Sequence, residues 1–375
     1  MNAIRPFTLD IPEADLADLA ARLDRTRWPE AATVDDWTQG TPLAALGELV
    51  AYWRNGYDWR RCEARLNALG QFVTEIDGLD IHFLHKPSSR SDAVPLLLTH
   101  GWPGSVVEFL GVIDELTEPT VADTQAFHVV APSLPGYGFS AKPGATGWGV
   151  ERIAQAWTEL MQRLEYRRWM AQGGDWGAAV TMAIGQLAPS ECRGIHLNMP
   201  IGRPGPDDMQ SKDSKVLKAL QRLGFYQEWD SGYSKQQSTR PQTIGYGLVD
   251  SPSALAAWML EKVHYWTDNQ GSAWDVLTMD QVLDDVMLYW LPATGASAAR
   301  LYWESFGKFG DGTVSIPAGA SAFPGEILPA PREWVERTLT NLVYWNDLDK
   351  GGHFAAWEQP ELFVSELRAC VAAMP

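Results

Sequence analysis
Hydrophobic positions in the middle of the chain follow two different spacings in alternation. Short continuous apolar runs occupy 94–99, 127–131 and 168–172, and after a loop each run is followed by apolar residues at helical spacing. A short apolar run bounded by turn residues predicts a buried strand, whereas recurrence every three or four residues predicts an amphipathic helix. Repetition of strand, loop and helix is typical of a parallel sheet packed against helices.

The region before these runs has a helical pattern that changes to a strand pattern. Apolar residues recur at helical spacing from about Pro12 and again over 42–69. Over 71–86 the polar and apolar residues alternate on both sides of Asp77-Gly78, a dipeptide that is typical of hairpin turns. We therefore expect helices followed by a β-hairpin ahead of the parallel sheet.

The pattern changes a second time after the strand expected at 194–199. Residues 201–302 are helical, polar and aromatic without a strong strand, which predicts a helical insertion. Strand patterns return at 314–323 and 339–345, before a last helix at 360–371. We therefore predict four segments: an N-terminal extension (1–70), the first part of an α/β core (71–200), a helical cap (201–302) and the second part of the core (303–375).

Composition and charge exclude several classes of protein. The chain has 375 residues, of which 45 % are hydrophobic and 21 % are charged, as in globular proteins. There are 30 Lys and Arg residues against 47 Asp and Glu residues, so the formal net charge is −17. Such an acidic chain is not expected to bind nucleic acid or an anionic membrane through bulk charge. An exposed apolar helix face would favour a homodimer, but the pattern leaves the oligomeric state open.

Cysteine use and the N-terminal sequence bear on the cellular compartment. Cys62, Cys192 and Cys370 are odd in number and far apart, which argues against a disulfide framework and fits a reducing cytoplasm. The N-terminus lacks the apolar segment of a signal peptide. No apolar run reaches the roughly 20 residues that span a bilayer. We therefore expect a soluble cytoplasmic protein.

The sequence G-x-D-x-G at 173–177 lies between a predicted strand and a predicted helix. Small residues on both sides of Asp175 would let the chain turn sharply and expose its carboxylate, as in a nucleophile elbow. A carboxylate suits displacement at a saturated carbon, as in an epoxide or alkyl halide, because the resulting alkyl ester can be hydrolysed by water. It suits ester or peptide cleavage poorly, because the acyl product would be an anhydride. The alternative is a glycine-rich turn whose acid interacts with the helix dipole.

Neither a cofactor site nor a metal site is predicted. A dinucleotide fingerprint over Gly174 and Gly177 would need glycine at the position of Gln172. His82 and His85 have the spacing of a metal-ligand pair, but they lie in the predicted hairpin and no third ligand is evident.

The sequence HGWPG at 100–104 follows an earlier predicted strand. At this place in the fold, the backbone N–H of Trp102 would stabilise an oxyanion together with the backbone N–H of Trp176. The alternative is a tight turn with a cis peptide bond before Pro103.

A base and its orienting acid are expected near the end of the chain. His353 follows two glycines between the last predicted strand and the last helix, where a loop can present its imidazole. Glu326, in FPGE after the penultimate strand, is the predicted acid, and Asp347 and Asp349 remain alternatives. Nucleophile, acid and base is the chain order of α/β hydrolases.

Taken together, these residues resemble the epoxide hydrolases of the microsomal and juvenile-hormone type, which belong to the α/β-hydrolase superfamily. HGWPGS, GGDWG, FPGE and GGHFAAWEQPEL match the core motifs of that family in order and spacing. PFTLDIPEADLADLAARLDRTRWPE resembles its N-terminal extension, and SGY and MLYW resemble its cap. The resemblance covers nearly the whole chain. It implies an α/β fold with a mostly parallel central sheet, a helical cap and an N-terminal extension, in a soluble, bacterial-style member without a membrane anchor.

The resemblance also implies a role for each residue of the site. Asp175 would be the nucleophile, His353 the base that activates water, and Glu326 the charge-relay acid. Tyr233 and Tyr302 in the cap would donate hydrogen bonds to the epoxide oxygen. The partners would be a small-molecule epoxide and water, the product a vicinal diol, and no cofactor would be needed.

Two other functions are compatible with the pattern. A haloalkane dehalogenase shares the Asp nucleophile, the late histidine and a tryptophan after the nucleophile, but it would not need the two cap tyrosines. A catalytically silent ligand-binding protein would not need the intact Asp, Glu and His. The many aromatic residues of the predicted cap favour an aryl or polycyclic epoxide, as in detoxification or natural-product biosynthesis. The physiological epoxide and the regio- and enantioselectivity do not follow from the sequence.

Overall fold
The strand and helix pattern of the sequence corresponds to one mixed sheet with helices packed on it. The structure is a computed structural model that describes residues 3–121 and 123–375, so residues 1 and 2 of the predicted N-terminal extension lie outside the described residues. The strands are β1 (Arg5–Phe7), β2 (Gln71–Ile76), β3 (Leu79–Lys86), β4 (Val94–Thr99), β5 (Phe127–Pro132), β6 (Trp169–Gly173), β7 (Cys192–Leu197), β8 (Ala318–Ala322) and β9 (Leu342–Asp347).

Among the described residues, nine strands pair in the order β1-β2-β3-β5-β4-β6-β7-β8-β9. The pairs from β1 to β5 are antiparallel, and those from β5 to β9 are parallel. Leu96, Leu97 and Leu98 on β4 are completely buried, as expected for a central strand that is covered on both faces. The predicted fold class, an α/β core with a mostly parallel sheet, is therefore confirmed.

The helices fall into the groups expected from the pattern. Those of the N-terminal region are α1 (Glu13–Asp24), α2 (Leu43–Asn55) and α3 (Trp59–Ala68). Those between β7 and β8 are α7 (Ser214–Phe225), α8 (Gly232–Thr239), α9 (Pro241–Asp250), α10 (Pro252–Trp266), α11 (Met279–Trp290) and α12 (Gly295–Ser305). Those of the core are α4 (Ile113–Thr117), α5 (Val150–Arg163), α6 (Trp176–Leu187), α13 (Arg332–Glu336), α14 (Ala355–Glu358) and α15 (Pro360–Ala373).

Two elements are shorter than the pattern predicts. The strand expected over 314–323 is β8 only, because Pro317 has no N–H to donate to a ladder, and Val314 makes only an isolated bridge with Leu339. The helical pattern after β4 forms a 3-10 turn at Val106–Phe109 followed by the short α4, with Gly111 between them.

The hairpin before the parallel strands has the predicted turn. Asp77 and Gly78 join β2 to β3 with φ values of 51° and 78°. Both residues therefore have a left-handed backbone conformation. The two-residue hairpin turn that Asp-Gly favours requires this conformation at both positions.

The N-terminal helices are fixed to the helices between β7 and β8 by polar contacts. The Tyr52 hydroxyl donates to Asp280 on α11 at 2.9 Å. The Tyr57 hydroxyl donates to Asp284 on the same helix at 2.8 Å, and Arg61 donates to both oxygens of Asp284 at 2.9 and 3.0 Å. The Asp284 side chain is only 7 % exposed, and burial raises its pKa to about 6 although Tyr57 and Arg61 act in the opposite direction.

No helix in the described parts of the chain is both long and apolar enough to cross a membrane. All three cysteines are buried free thiols.

We predict that Arg61→Met destabilises the protein by about 1–3 kcal/mol at pH 8, because a buried carboxylate then lacks its cation. The folded-state pKa of Asp284 lies above the unfolded value, so its protonated form is favoured by folding, and the ionised form is penalised as the pH rises through about 6. The loss should therefore be smaller at pH 5 than at pH 8. Urea unfolding at the two pH values measures it.

Arg54→Met is the matched control, because Arg54 makes a two-point ion pair with Asp24 in which both side chains are more than a third exposed. Its effect should stay below about 1 kcal/mol at both pH values. Equal losses for the two variants, or a loss for Arg61→Met that does not change with pH, would contradict this account of Asp284.

Candidate active site
Asp175 stands at a sharp turn between β6 and α6. Its backbone has φ 51° and ψ −128°, a strained conformation for a residue with a side chain. The neighbouring glycines make the turn sterically possible. A Cβ on Gly177 would lie 1.8 Å from the carbonyl oxygen of Thr99, and a Cβ on Gly173 would lie 2.1 Å from the carbonyl oxygen of Gly177. This is the strand–turn–helix geometry expected of a nucleophile elbow.

The carboxylate of Asp175 has a different neighbour at each oxygen. Oδ1 accepts a hydrogen bond from the backbone N–H of Trp102 at 2.8 Å, and Oδ2 lies 3.3 Å from Nε2 of His353. Gly101 permits the close approach, since a Cβ there would lie 2.3 Å from Oδ1. The N–H of Trp176, the other predicted donor, lies in the first turn of α6, where backbone N–H groups have no partner within the helix.

His353 lies between two carboxylates. Its Nδ1 is 2.8 Å from Oε1 of Glu326, whose side chain is only 1 % exposed. Burial opposes protonation of the imidazole, but the charges of Glu326 and Asp175 outweigh burial and hold the pKa of His353 well above its ordinary value. Of the two alternative acids, Asp347 pairs with Lys215 at 2.9 Å and Asp349 is exposed. The structure thus places Glu326, and neither aspartate, beside the imidazole.

A further acid that the sequence analysis missed holds the loop of His353. Glu358 accepts hydrogen bonds from the backbone N–H groups of Asp268 at 2.7 Å, Gly352 at 3.1 Å and Phe354 at 3.0 Å. Burial raises its pKa to about 7 although these three N–H groups act in the opposite direction. A signal was present in GGHFAAWEQPEL, where this glutamate lies five residues after His353. Its contact with the N–H of Asp268, which comes from a distant segment, could not be seen in the sequence.

Both predicted cap tyrosines face this part of the core. Tyr233 on α8 and Tyr302 on α12 are 5 % and 2 % exposed, and their ring centroids are 5.7 Å apart. The ring of Tyr233 stacks on Trp102 at 4.8 Å, and Tyr302 meets the ring of Trp176 edge to face at 4.8 Å. Burial raises the pKa of both phenols well above the ordinary value, and the charge of Asp175 adds to the effect. Both hydroxyls are therefore held in the protonated, donating form.

Other tyrosines of the segment 201–302 have different surroundings. The Tyr226 hydroxyl lies 3.2 Å from the Tyr233 hydroxyl, so it is a polar neighbour of the site. The Tyr289 hydroxyl donates to the carbonyl of Gly104 at 2.7 Å and so supports the turn that carries Trp102. Tyr246 is 70 % exposed. The turn at 100–104, which carries Trp102, has the expected cis peptide bond between Trp102 and Pro103.

A small cavity adjoins the side chains of Asp175 and His353. It has a volume of about 20 Å³ and is lined by residues that include Asp175, His353, Glu108 and Asn198. A cavity of this volume is large enough for one water molecule.

The histidines considered as metal ligands have other partners. His82 lies 3.0 Å from the Ser133 hydroxyl and 2.9 Å from the Gln71 side-chain oxygen, and His85 lies 2.8 Å from the Tyr166 hydroxyl. The residues that the structure describes contain no group of three or more His, Cys, Asp or Glu side chains that could hold a metal ion.

Two family models match the chain. A model described as the epoxide hydrolase N terminus matches residues 4–109, and a model described as the alpha/beta hydrolase fold matches residues 94–360. Together they cover the extension, the core and the helices between β7 and β8.

Individual relatives match over nearly the whole chain. A protein of Stigmatella aurantiaca that is provisionally named an epoxide hydrolase is 53 % identical over 98 % of this chain and 84 % of its own length. Epoxide hydrolase 1 of Sus scrofa is 34 % identical over 98 % of this chain and 88 % of its own length. The crystal structure of juvenile hormone epoxide hydrolase from Bombyx mori superposes with a TM-score of 0.92 at 31 % identity, over 99 % of this chain and 95 % of that chain.

The contacts of His353 predict how its pKa responds to substitution. Glu326→Gln should lower the pKa of His353, because it removes a negative charge that stabilises the imidazolium at 2.8 Å. Asp347→Asn should leave it unchanged, since that carboxylate pairs with Lys215 instead. NMR titration of histidine-labelled protein measures the pKa, and His353→Gln identifies the resonance. A shift caused by Asp347→Asn and not by Glu326→Gln would contradict this assignment.

Proposed function
The chain belongs to the epoxide hydrolases of the α/β-hydrolase fold, and we propose that it converts an apolar epoxide to a vicinal diol through an ester on Asp175. One observation carries the proposal. The carboxylate of Asp175 is held between a backbone N–H and an imidazole, and two buried tyrosines lie near enough for its charge to raise the pKa of their phenols. A carboxylate nucleophile and two acids near it are what opening an epoxide ring requires.

In the first step Oδ2 of Asp175 attacks a ring carbon of the epoxide. The C–O bond of the ring breaks, its electron pair stays on the oxygen, and that oxygen takes a proton from Tyr233 or Tyr302. The burial of both phenols supports this role, because the neutral hydroxyl is the form that donates. The product is an alkyl ester of Asp175.

In the second step His353 takes a proton from a water molecule whose oxygen bonds to the ester carbonyl carbon. The bond between that carbon and the original Asp175 oxygen then breaks, and the departing diol oxygen takes the proton from the imidazolium of His353. The proton of the new carboxyl group restores the phenol that lost its proton in the first step. Esterification removes the negative charge of Asp175, which is one of the charges that raise the pKa of His353 in the free enzyme. The pKa of His353 therefore falls, so the imidazole is neutral and able to accept a proton at the stage when it must act as the base. The Trp102 and Trp176 N–H groups stabilise the oxyanion, and the cavity beside Asp175 and His353 is suited to hold the water.

The aromatic residues packed around the site support an aromatic substrate. Trp102, Tyr233, Tyr302, Trp176 and Trp266 form a chain of ring contacts with centroids 4.8 to 6.2 Å apart. Rigid aromatic surfaces of this kind bind apolar rings with little loss of side-chain entropy. We propose an aryl or polycyclic epoxide as the substrate class.

The dehalogenase alternative has less support from the site. A dehalogenase would use indole N–H donors to bind the halide ion, whereas the Trp176 ring packs edge to face against Tyr302 at 4.8 Å. The two buried phenols would also have no task in halide release.

The covalent route predicts where the oxygen of water goes. In a single turnover of styrene oxide with excess enzyme in ¹⁸O-water, the diol should contain no label and the peptide that contains Asp175 should gain one ¹⁸O. Water attacks the ester carbonyl, so its oxygen stays on the carboxylate and the original Asp175 oxygen leaves in the diol. Mass spectrometry of both products measures this. Label in the diol of the first turnover would exclude the ester.

Substitutions should separate the two steps. Asp175→Ala should abolish diol formation, and His353→Gln should form the ester but hydrolyse it at least about 100-fold more slowly. Rapid quenching and intact-protein mass spectrometry measure the ester. His128→Gln is the matched control, because His128 lies on β5 and bonds to the Ser88 N–H outside the site. Loss of ester formation in folded His353→Gln would contradict its role, and halide release from haloalkanes without diol formation would favour the dehalogenase.

A further inference from the structure
Lys262 is a buried cation in the middle of α10. Its side chain is 2 % exposed, and its ammonium group lies 2.7 Å from Asp230 and 2.8 Å from Glu261. Burying an ammonium group is costly, and replacing a buried ion pair by apolar residues is often neutral or stabilising. The pair therefore calls for an explanation other than stability.

The ammonium group of Lys262 faces the aromatic side chains of the site. It lies 4.8 Å from the centroid of the Tyr233 ring and 5.7 Å from that of Trp266. The other oxygen of Asp230 accepts the indole N–H of Trp266 at 2.8 Å. The Trp266 ring in turn contacts the rings of Tyr233 at 5.2 Å and His353 at 4.9 Å. Lys262 and Asp230 thus fix two rings that border the reacting groups.

We propose that Lys262 is a positioning residue that fixes the ring of Tyr233 and assists its proton donation when the epoxide opens. This inference rests on the proposed function. As the C–O bond breaks, a proton passes from the Tyr233 hydroxyl to the epoxide oxygen and negative charge develops on the phenol. A cation over an aromatic ring is attracted to its π electrons, and a ring that gains negative charge attracts it more strongly. The cation therefore stabilises the transition state more than the ground state.

The carboxylates beside Lys262 do not cancel this effect. Glu261 is 27 % exposed, so water weakens its effect on the ring, and the indole N–H that Asp230 accepts from Trp266 partly offsets the negative charge of that carboxylate. Lys262 also differs from Tyr226, the other polar neighbour of Tyr233. The Tyr226 hydroxyl meets the Tyr233 hydroxyl at 3.2 Å, whereas the cation acts on the ring.

The test compares two substitutions that treat the ion pair differently. Asp230→Asn keeps the cation of Lys262, which can still pair with Glu261. The amide oxygen of the new asparagine can still accept the Trp266 N–H. Asp230→Asn/Lys262→Met removes the cation without leaving a lone buried carboxylate. If the cation assists Tyr233, the double variant slows ester formation about 10- to 30-fold, the range for a desolvated cation over a ring, whereas Asp230→Asn changes it less than about threefold. Hydrolysis of the ester should stay within about twofold in both.

A double-mutant cycle with Tyr233→Phe distinguishes this role from a structural one. Without the Tyr233 hydroxyl, removal of the cation should change the rate of ester formation less than about threefold. Rapid-quench mass spectrometry measures each rate, circular dichroism checks folding, and Lys215→Met, which breaks the exposed pair with Asp347, is the matched control.

The outcomes separate the two proposals. Equal slowing with and without the Tyr233→Phe substitution, or equal slowing by Asp230→Asn alone, would show that the pair is only structural and would overturn the inference. Absence of any ester in the wild-type enzyme would instead overturn the proposed function. If the double variant does not fold, the rate of ester formation by Asp230→Asn still tests the inference. A pair with only a structural role would be disrupted by this substitution, and ester formation would then be slow.

Discussion
The strained turn at Asp175 is the constraint on which the site depends. Asp175 can adopt its turn with φ 51° only because residues 101, 173 and 177 are glycines. A Cβ at any of these three positions would clash with the Asp175 side chain or with neighbouring backbone. Strain of this kind costs on the order of 1–3 kcal/mol. It persists because the loops after β4 and β6 pack closely around the turn. The same close packing aims the Trp102 N–H at one oxygen of the carboxylate. Strain and electrostatic preorganisation therefore arise from one set of contacts.

The groups around this turn come from segments that are far apart in the chain. His353 is positioned by Glu326 through its ring and by Trp266 through its backbone N–H, and Glu358 fixes the residues on both sides of it. The helices between β7 and β8 thus reach the loop of His353 through Trp266, and they also support the turn that carries Trp102, because the Tyr289 hydroxyl donates to the Gly104 carbonyl. The parallel topology makes this possible, because the loops that follow successive parallel strands meet at one edge of the sheet.

Most of the fold was predictable from the sequence, and so was the proximity of Asp175, Glu326 and His353. Alternation of apolar runs with helical spacing gave the strands closely, and glycines around Asp175 and before His353 marked the loops. The choice of Glu326 over Asp347 followed from strand order, but its contact with the imidazole required the structure. Pro317 shortened β8 in a way that hydrophobicity alone does not show. The contact of Glu358 with Asp268 and that of Lys262 with Tyr233 were not predictable, because only the tertiary fold brings these residues near each other.

The buried charges of this protein are compensated at three separate places. Asp175 and Glu326 flank one imidazole, Asp230 and Glu261 flank one ammonium group, and Asp284 pairs with Arg61 from the N-terminal helices. Each buried charge would be penalised heavily if its partner were absent. The first two clusters each lie within one part of the fold, whereas the Asp284–Arg61 pair joins α11 to α3. Displacing the N-terminal helices from the helices between β7 and β8 would therefore leave the Asp284 carboxylate without its cation, and this electrostatic cost favours the assembled arrangement of the two groups of helices.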